Sequence, residues 1–230
     1  MSHVSDNLAH INELIETACR RAGRSPAEVR LMAVSKRQPA DRIREAVSEG
    51  LRLFGENRVQ ETDAHLDLFP EDTELHLIGH LQRNKARDAA RLYSAVDSID
   101  AGRTARALDD RLRERHRQLP VLLEVNTSGE ESKHGVRTYD QLKQLTEEVL
   151  TLTSLTIHGL MTIGPISTDE QELRRAFASL REFLERLKTV FPELTLRELS
   201  MGMSNDYQYA ILEGATTVRV GTALFGTRET

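Results

Sequence analysis

The sequence predicts a single α/β domain folded as a (β/α)8 TIM barrel, with one extra helix at its N-terminus. Two observations predict this fold: short, nearly continuous apolar segments recur along the chain, and amphipathic segments lie between them. Apolar strands that alternate with helices are typical of a parallel sheet covered by helices. Eight such units in roughly 200 residues fit a closed barrel better than an open doubly wound sheet, which is the alternative.

The first element is an amphipathic helix. Its apolar positions recur at helical spacing near the N-terminus and are Val4, Leu8, Ile11, Leu14, Ile15 and Ala18. Eight apolar segments then predict the strands of the barrel. These segments are 29–34, 51–54, 75–78, 95–99, 121–125, 155–161, 196–201 and 217–224.

Seven intervening segments contain the predicted helices. They are 39–50, 57–69, 83–93, 102–117, 139–150, 170–191 and 205–214. Several of them begin with a proline, asparagine or aspartate, and two end in glycine, which are ordinary signals for the start and end of a helix. Strand and helix segments therefore alternate strictly along the chain.

Length, composition and charge limit the number of domains and the kinds of protein that this chain can be. The 230 residues contain no Pro/Gly/Ser-rich linker, so one domain spanning 1–230 is expected. A formal net charge of -5 argues against nucleic-acid binding, although four arginines between 111 and 117 form a local basic stretch that we interpret as a solvated helix face. The single cysteine, Cys19, excludes an intrachain disulfide and favours a reducing cytoplasm. Neither a signal peptide nor a membrane span is expected.

In a barrel of this kind the chemistry lies at the C-terminal ends of the strands. The first strand ends in Ser35-Lys36 and the second in Gly55-Glu56-Asn57. The third is followed by "IGHLQRNK" and the fifth by "NTSGEESKHG". The last two strands lead into "SMGMSND" and "RVGTALFG". These polar segments are therefore expected to meet at one mouth.

The glycine-containing turns after the last two strands are suited to phosphate. Glycine lets backbone N–H groups approach an anion closely, and a short helix start adds its dipole. Segments 202–206 and 220–226 place the hydroxyls of Ser204 and Thr222 beside such N–H groups. Barrels of this type often bind phosphate at this position.

Lys36 combined with a phosphate site suggests pyridoxal phosphate (PLP). A lysine in a barrel mouth is partly removed from water, which favours the neutral amine that forms an imine with an aldehyde. Arg219 is expected to point inward beneath the same loops, where it either faces a flat ring or forms a buried structural ion pair. A cation facing the pyridine nitrogen would make the ring a poorer electron sink.

Other site types have weaker signals. His76, His80, His134 and His158 form no HxH or HExxH pair, so no metal site is expected. A G-x-S-x-G elbow is absent, which argues against a serine hydrolase. Segment 126–135 is either a lid over the site or a solvated loop. Met201 and Met203 are most simply explained as residues that pack in the core.

Seven motifs carry a resemblance to a known family. They are "LMAVSK", "FGENRVQE", "HLIGHLQRNK", "VNTSGEESKHG", "GLMTIG", "LSMGMSND" and "VRVGTALFG". In these motifs and their order, the whole chain closely resembles the pyridoxal phosphate homeostasis proteins (YggS/PROSC-like), whose domain is similar to the N-terminal barrel of alanine racemases.

The resemblance implies a set of cofactor-binding residues. Lys36 would carry PLP as an internal aldimine, and Arg219 would face the ring nitrogen. The phosphate would be held by Ser200, Gly202, Gly221 and Thr222 or near neighbours such as Ser204, whereas Asn57 and Met201 would lie beside the cofactor. No catalytic or metal-binding residue is implied.

The resemblance also implies a function in intracellular PLP homeostasis: buffering of the cofactor, with delivery to apoenzymes as a further role, and no robust enzymatic activity. A monomer is expected. The alternative is a PLP-dependent amino-acid racemase. Alanine racemases use a tyrosine from a separate domain and subunit as the second base, and of the four tyrosines here only Tyr207 and Tyr209 lie near a predicted mouth loop.

Overall fold

The computed structural model describes residues 3–226 and has eight parallel strands that close into a barrel in sequential order, which confirms the predicted fold. The predicted domain also includes residues 1, 2 and 227–230, which lie outside the described residues. The last strand pairs with the first, from Arg30 opposite Thr217 to Ala33 opposite Val220. The first and last strands of the barrel therefore lie side by side.

The strands agree closely with the predicted apolar segments. They are β1 (Arg30–Val34), β2 (Leu53–Glu56), β3 (Glu74–Leu77), β4 (Ala95–Ile99), β5 (Leu119–Glu124), β6 (Leu155–Met161), β7 (Glu198–Met203) and β8 (Thr217–Val220). Every neighbouring pair is parallel, so all eight C-terminal ends open at the same mouth.

The helices cover the outside of the barrel. They are α1 (Val4–Ala22), α2 (Ala40–Ser48), α3 (Val59–Asp63), α4 (Ala86–Leu92), α5 (Gly102–Arg113), α6 (Tyr139–Leu150), α7 (Glu170–Val190), α8 (Tyr207–Leu212) and α9 (Thr222–Phe225). In the described part of the chain, none of them is long and apolar enough to cross a membrane.

The extra N-terminal helix forms as predicted and packs against α8 and α9. Its inner face buries Ile11, Ile15 and Cys19. Gly23 ends the helix with a φ of 66°, a left-handed conformation that glycine adopts at little cost. A hydrogen bond of 2.8 Å from the Asn7 side chain to the backbone oxygen of Leu224 joins α1 to α9.

The largest error in a predicted strand boundary is four residues, at the end of the last strand. The last strand was expected over 217–224, but β8 ends at Val220 and the chain turns at Gly221 into the short helix α9. The apolar residues Leu224 and Phe225 are buried there as part of a helical turn. Continuous apolar character identifies burial, and it does not separate a strand from a helical turn that packs against the same core.

Candidate functional site

A cavity of about 730 Å³ opens at the C-terminal ends of β1, β2 and β3. Lys36 and Asn57 both line it, so the structure brings together two of the predicted site residues. Basic side chains contribute much of the remaining wall, namely Arg58, His80, Lys85 and His134. This size is within the range of pockets that enclose small ligands.

Lys36 is half-buried and lies two residues beyond the end of β1. The preceding residue, Ser35, is buried and donates a hydrogen bond from its hydroxyl to the Glu56 carboxylate. Burial raises the pKa of Glu56 to about 7, with a smaller contribution in the same direction from Glu61, while the Ser35 hydrogen bond and the charge of Lys36 oppose the rise. A buried carboxyl that can hold a proton near neutral pH therefore lies within electrostatic range of Lys36.

The loops after β7 and β8 meet through Ser204. Its Oγ accepts hydrogen bonds from the backbone N–H groups of Gly221, at 3.3 Å, and Ala223, at 3.2 Å. A Cβ added to Gly221 would lie 3.2 Å from the backbone oxygen of Val34, two residues before Lys36. The turn after β8 is therefore packed against the end of the strand that carries Lys36.

Gly202 is required by the backbone at the end of β7. Its φ is 91°, and an added Cβ would lie 2.6 Å from Ala210 Cβ and 2.8 Å from Tyr207 Cα. The carboxylate of Asp206 accepts a hydrogen bond from the backbone N–H of Met203 and fixes the turn further. Burial raises the pKa of Asp206, and the hydrogen bond from Met203 and the charge of Arg219 oppose this.

Arg219 is buried inside the barrel. Its guanidinium donates hydrogen bonds to Ser200 Oγ at 2.8 Å and to the backbone oxygen of Thr162 at 2.7 Å. Burial lowers the pKa of Arg219, whereas the charges of Asp97, Asp206 and Glu124 act to raise it. The arginine is thus anchored by neutral oxygens in a cluster of acidic groups.

Of the three acidic residues around Arg219, Glu124 has a carboxylate oxygen without a hydrogen bond to any described residue. Burial raises the pKa of Glu124 to about 7; the charge of Asp100 adds to the rise and that of Arg219 opposes it. Its Oε2 is buried and has no hydrogen-bond partner among residues 3–226. A protonated carboxyl is the form that costs least in such surroundings.

The predicted site residues thus fall into three connected groups. Lys36 and Asn57 share the cavity, Ser204 contacts Gly221, and Arg219 contacts Ser200. Three residues stand apart from these contacts: Met201 is fully buried in the hydrophobic core, Gly202 forms the turn at the end of β7, and Thr222 is exposed at the start of α9. The roles of all nine residues in binding a cofactor stay predictions.

The loop 126–135 is tied to the rim of the mouth. The amide of Asn126 donates hydrogen bonds to the backbone oxygens of Glu130 and Lys133. The Lys133 ammonium donates to Glu130 Oε1 and to the backbone oxygen of Gly164, both at 2.7 Å. The loop is therefore anchored across the ends of β5 and β6, and its role as a lid stays a prediction.

Sequence reasoning missed two kinds of residue at the mouth. Glu56 and Glu124 are the last residues of β2 and β5, and their position at the end of an apolar strand was a usable signal for a buried carboxyl. Asp100, by contrast, lies beside His80 and His134 only because three different loops converge. No local motif could have shown this contact.

Comparisons with known proteins agree with the fold. Residues 7–229 match the family model described as the N-terminal domain of alanine racemase. The pyridoxal phosphate homeostasis protein of Pseudomonas aeruginosa is 43% identical over 230 residues, which covers 100% of this chain and 97% of the relative. An alanine racemase of Clostridium difficile 630, which is 12% identical, shares the fold with a TM-score of 0.78 and covers 99% of this chain and 57% of that one.

A solved structure of PipY from Synechococcus elongatus, with PLP bound, is 39% identical to this chain. Its TM-score is 0.80, and the match covers 93% of this chain and 100% of PipY.

Proposed function

The chain belongs to the pyridoxal phosphate homeostasis protein family, and we propose that it binds PLP through Lys36 and acts in intracellular PLP homeostasis. The observation that carries this proposal is the contact between the two halves of the mouth: the turn at Gly221 packs against Val34, and Val34 lies two residues before Lys36. The segment that carries Lys36 and the turn that we propose to bind phosphate are therefore neighbours.

The residues present fit the cofactor. The N–H groups of Gly221 and Ala223 both donate to the Ser204 hydroxyl oxygen, which leaves the hydroxyl hydrogen to donate to a phosphate oxygen. The two N–H groups can also reach a phosphate oxygen by sharing or exchanging their bonds to Ser204. Lys36 lines a cavity of about 730 Å³. A primary amine in such a cavity can attach covalently to an aldehyde. When bound, the cofactor would supply a reactive aldehyde and a ring that withdraws electrons.

The protein's own residues would position the cofactor in the following way. Ser204, Gly221 and Ala223 hold the phosphate group. Glu56 can keep or release a proton near neutral pH close to the Lys36 amine, because burial raises the pKa of its carboxyl to about 7. Arg219 keeps a fixed positive charge inside the barrel, which disfavours protonation of a ring nitrogen facing it.

The four tyrosines support binding without turnover. The Tyr93 hydroxyl lies 2.6 Å from Thr62 Oγ1, and Tyr139 packs its ring against Phe183. Tyr207 is buried and Tyr209 packs against the core. In the part of the chain that the structure describes, no tyrosine lines the cavity around Lys36. We therefore propose a carrier rather than a racemase.

Three further properties belong to the proposal. The protein acts in the cytoplasm, as its single buried cysteine suggests. It works as a monomer, since its exposed large apolar residues belong to five different elements and loops rather than to one helix face. It passes PLP to apoenzymes.

In the decisive experiment, PLP is added to the purified protein and to the variants Lys36→Ala and Lys85→Ala. The absorbance band of the attached cofactor is recorded, and each sample is then reduced with borohydride. Mass spectrometry should locate a pyridoxyl adduct on Lys36. The adduct should persist in Lys85→Ala, which removes another amine of the same cavity. Attachment that survives Lys36→Ala at the wild-type level would refute the proposal.

A second measurement separates carrier from racemase. The loaded protein is incubated with L-alanine or D-alanine in heavy water, and α-deuteration is followed by mass spectrometry. Little exchange above that of free PLP is expected. Rapid exchange with inversion would support the racemase instead.

A further inference from the structure

Three side chains from three consecutive loops converge at the edge of the mouth. His80 follows β3, Asp100 follows β4 and His134 follows β5. One ligand atom from each, two imidazole nitrogens and a carboxylate oxygen, lies within 4.8 Å of the other two. The parallel barrel produces this convergence, because the C-terminal ends of neighbouring strands open on the same side.

Both imidazoles face the same atom. His80 Nδ1 lies 3.3 Å and His134 Nδ1 lies 3.7 Å from Asp100 Oδ2. The two rings are stacked, with centroids 4.0 Å apart and an interplanar angle of 11°. Two positively charged rings stacked in this way would repel each other. A cation held between neutral imidazoles and the carboxylate satisfies all three groups at once.

We propose that His80, Asp100 and His134 form a binding site for Zn²⁺. Two imidazole nitrogens and one carboxylate oxygen are a ligand set that Zn²⁺ accepts, and three protein ligands leave a position open for water or another ligand. No sequence motif predicts this site, because its ligands do not share a helix or a strand.

Closing the site requires the rotation of one side chain. Tetrahedral coordination with bonds of about 2.0–2.1 Å separates ligand atoms by about 3.3 Å. The His80–Asp100 distance of 3.3 Å already meets this value, and the His134–Asp100 distance of 3.7 Å is close to it. One ring must rotate out of the stack, and His134 can do so because 57% of its side chain is exposed.

The metal would sit at the rim of the cavity that contains Lys36, since His80 and His134 also line that cavity. The site uses none of the residues that we assign to PLP, so it can exist whether or not the protein binds the cofactor. Its open coordination position would suit an anionic or nitrogen-containing ligand.

Cobalt tests the site directly. Co²⁺ is titrated into the full-length protein after chelator treatment, and its visible absorption bands are recorded at wavelengths longer than those where PLP absorbs. We expect saturation at one Co²⁺ per chain and displacement by Zn²⁺. The variants H80Q, D100N and H134Q should each weaken binding by about tenfold or more.

His10→Gln is the matched control. His10 faces one carboxylate, that of Glu13 at 3.9 Å, and belongs to no cluster of three possible ligands within the described residues. This variant should bind Co²⁺ like the wild type. Circular dichroism checks that each variant is folded.

Three results would overturn the proposal. The first is a wild-type titration without a saturating visible spectrum. The second is Co²⁺ binding that persists in all three variants, as expected if the metal is held by the phosphate of bound PLP. The third is inorganic phosphate binding that requires His80 and His134 in a protein that does not bind metal, which would make the cluster an anion site.

Discussion

The hydroxyl of Ser204 accepts a hydrogen bond from the backbone N–H of Gly221 across 3.3 Å, and this contact joins the loops that follow β7 and β8. The same hydroxyl accepts a second bond from Ala223. A phosphate group held here would use donors that the protein has already brought together. The two N–H groups would share or exchange their bonds to Ser204 when the anion binds.

Ser204→Ala should therefore affect phosphorylated and unphosphorylated forms of the ligand differently. Losing one neutral hydrogen-bonding group costs about 0.5–1.5 kcal/mol, so PLP binding should weaken by about two- to twelvefold. Binding of pyridoxal, which lacks the phosphate, should change much less. Fluorescence titration with both ligands measures the difference, and Ser48→Ala on the exposed side of α2 is the control. Equal losses for the two ligands would contradict a phosphate contact.

Gly202→Ala should destabilise the fold strongly. The added Cβ would lie 2.6 Å from Ala210 Cβ, in addition to the strain of a φ of 91°. Gly50 has a similar φ of 87°, but its Cβ would have no neighbour within 4 Å.

Gly50→Ala should accordingly cost only the backbone strain, about 1 kcal/mol, whereas Gly202→Ala should cost about 3 kcal/mol or more. Urea unfolding of both variants measures the free energies. Similar losses in the two variants would show that the turn after β7 can relax around a side chain.

Glu56 should make stability depend on pH. Burial raises the pKa of its carboxyl from 4.5 to about 7, so between these values the folded protein keeps a proton that the unfolded chain has released. Stability therefore falls as the pH rises through this window.

Glu56→Gln removes this penalty and can still accept the hydrogen bond from Ser35. It should raise the free energy of unfolding by about 1–3 kcal/mol at pH 8 and change it little at pH 5. Urea titrations at both pH values test this, with the exposed Glu49→Gln as control. A gain of the same size at pH 5 would point to packing rather than ionisation.

His76, at the other end of the barrel, should also make stability fall as the pH rises, but in a higher pH window. Burial disfavours its charged form, but Asp97, with Nδ1 to Oδ1 at 3.1 Å, and Glu74 outweigh this and raise the pKa of His76 from 6.5 to about 9. The stabilisation is complete below about pH 6.5 and disappears as the pH rises through about 9.

His76→Gln should thus cost about 1–3 kcal/mol more at pH 6 than at pH 10. The comparison removes the packing loss, which is the same at both pH values. Thermal or urea unfolding gives the two differences, and the exposed His65→Gln should show no such dependence. A cost independent of pH would mean that His76 is neutral in the folded protein.

The fold could be predicted from the sequence because its signals are local. Each strand is a short apolar run, and the alternation with helices leaves few arrangements of the chain. The failure at β8 has the same origin: Leu224 and Phe225 are buried, and burial alone does not distinguish a strand from the helical turn α9.

The site could be predicted only in part. Lys36, Asn57 and Ser204 follow strand ends directly, so their presence at the mouth follows from the parallel topology. The Arg219–Ser200 hydrogen bond, the environment of Glu124 and the meeting of His80 with His134 depend on how the strands are staggered around the barrel. That stagger is set by packing across the whole barrel and leaves no local trace in the sequence.

The pairing of β8 with β1 has a consequence for synthesis of the protein. Lys36 leaves the ribosome early, whereas Gly221 emerges near the end, and the two halves of the proposed site meet only when the last strand docks beside the first. A nascent chain therefore exposes the lysine without the groups that would retain a phosphate. Ligand capture is delayed until translation has passed β8, and a ligand that binds only the closed barrel would favour closure over the open, unfinished state.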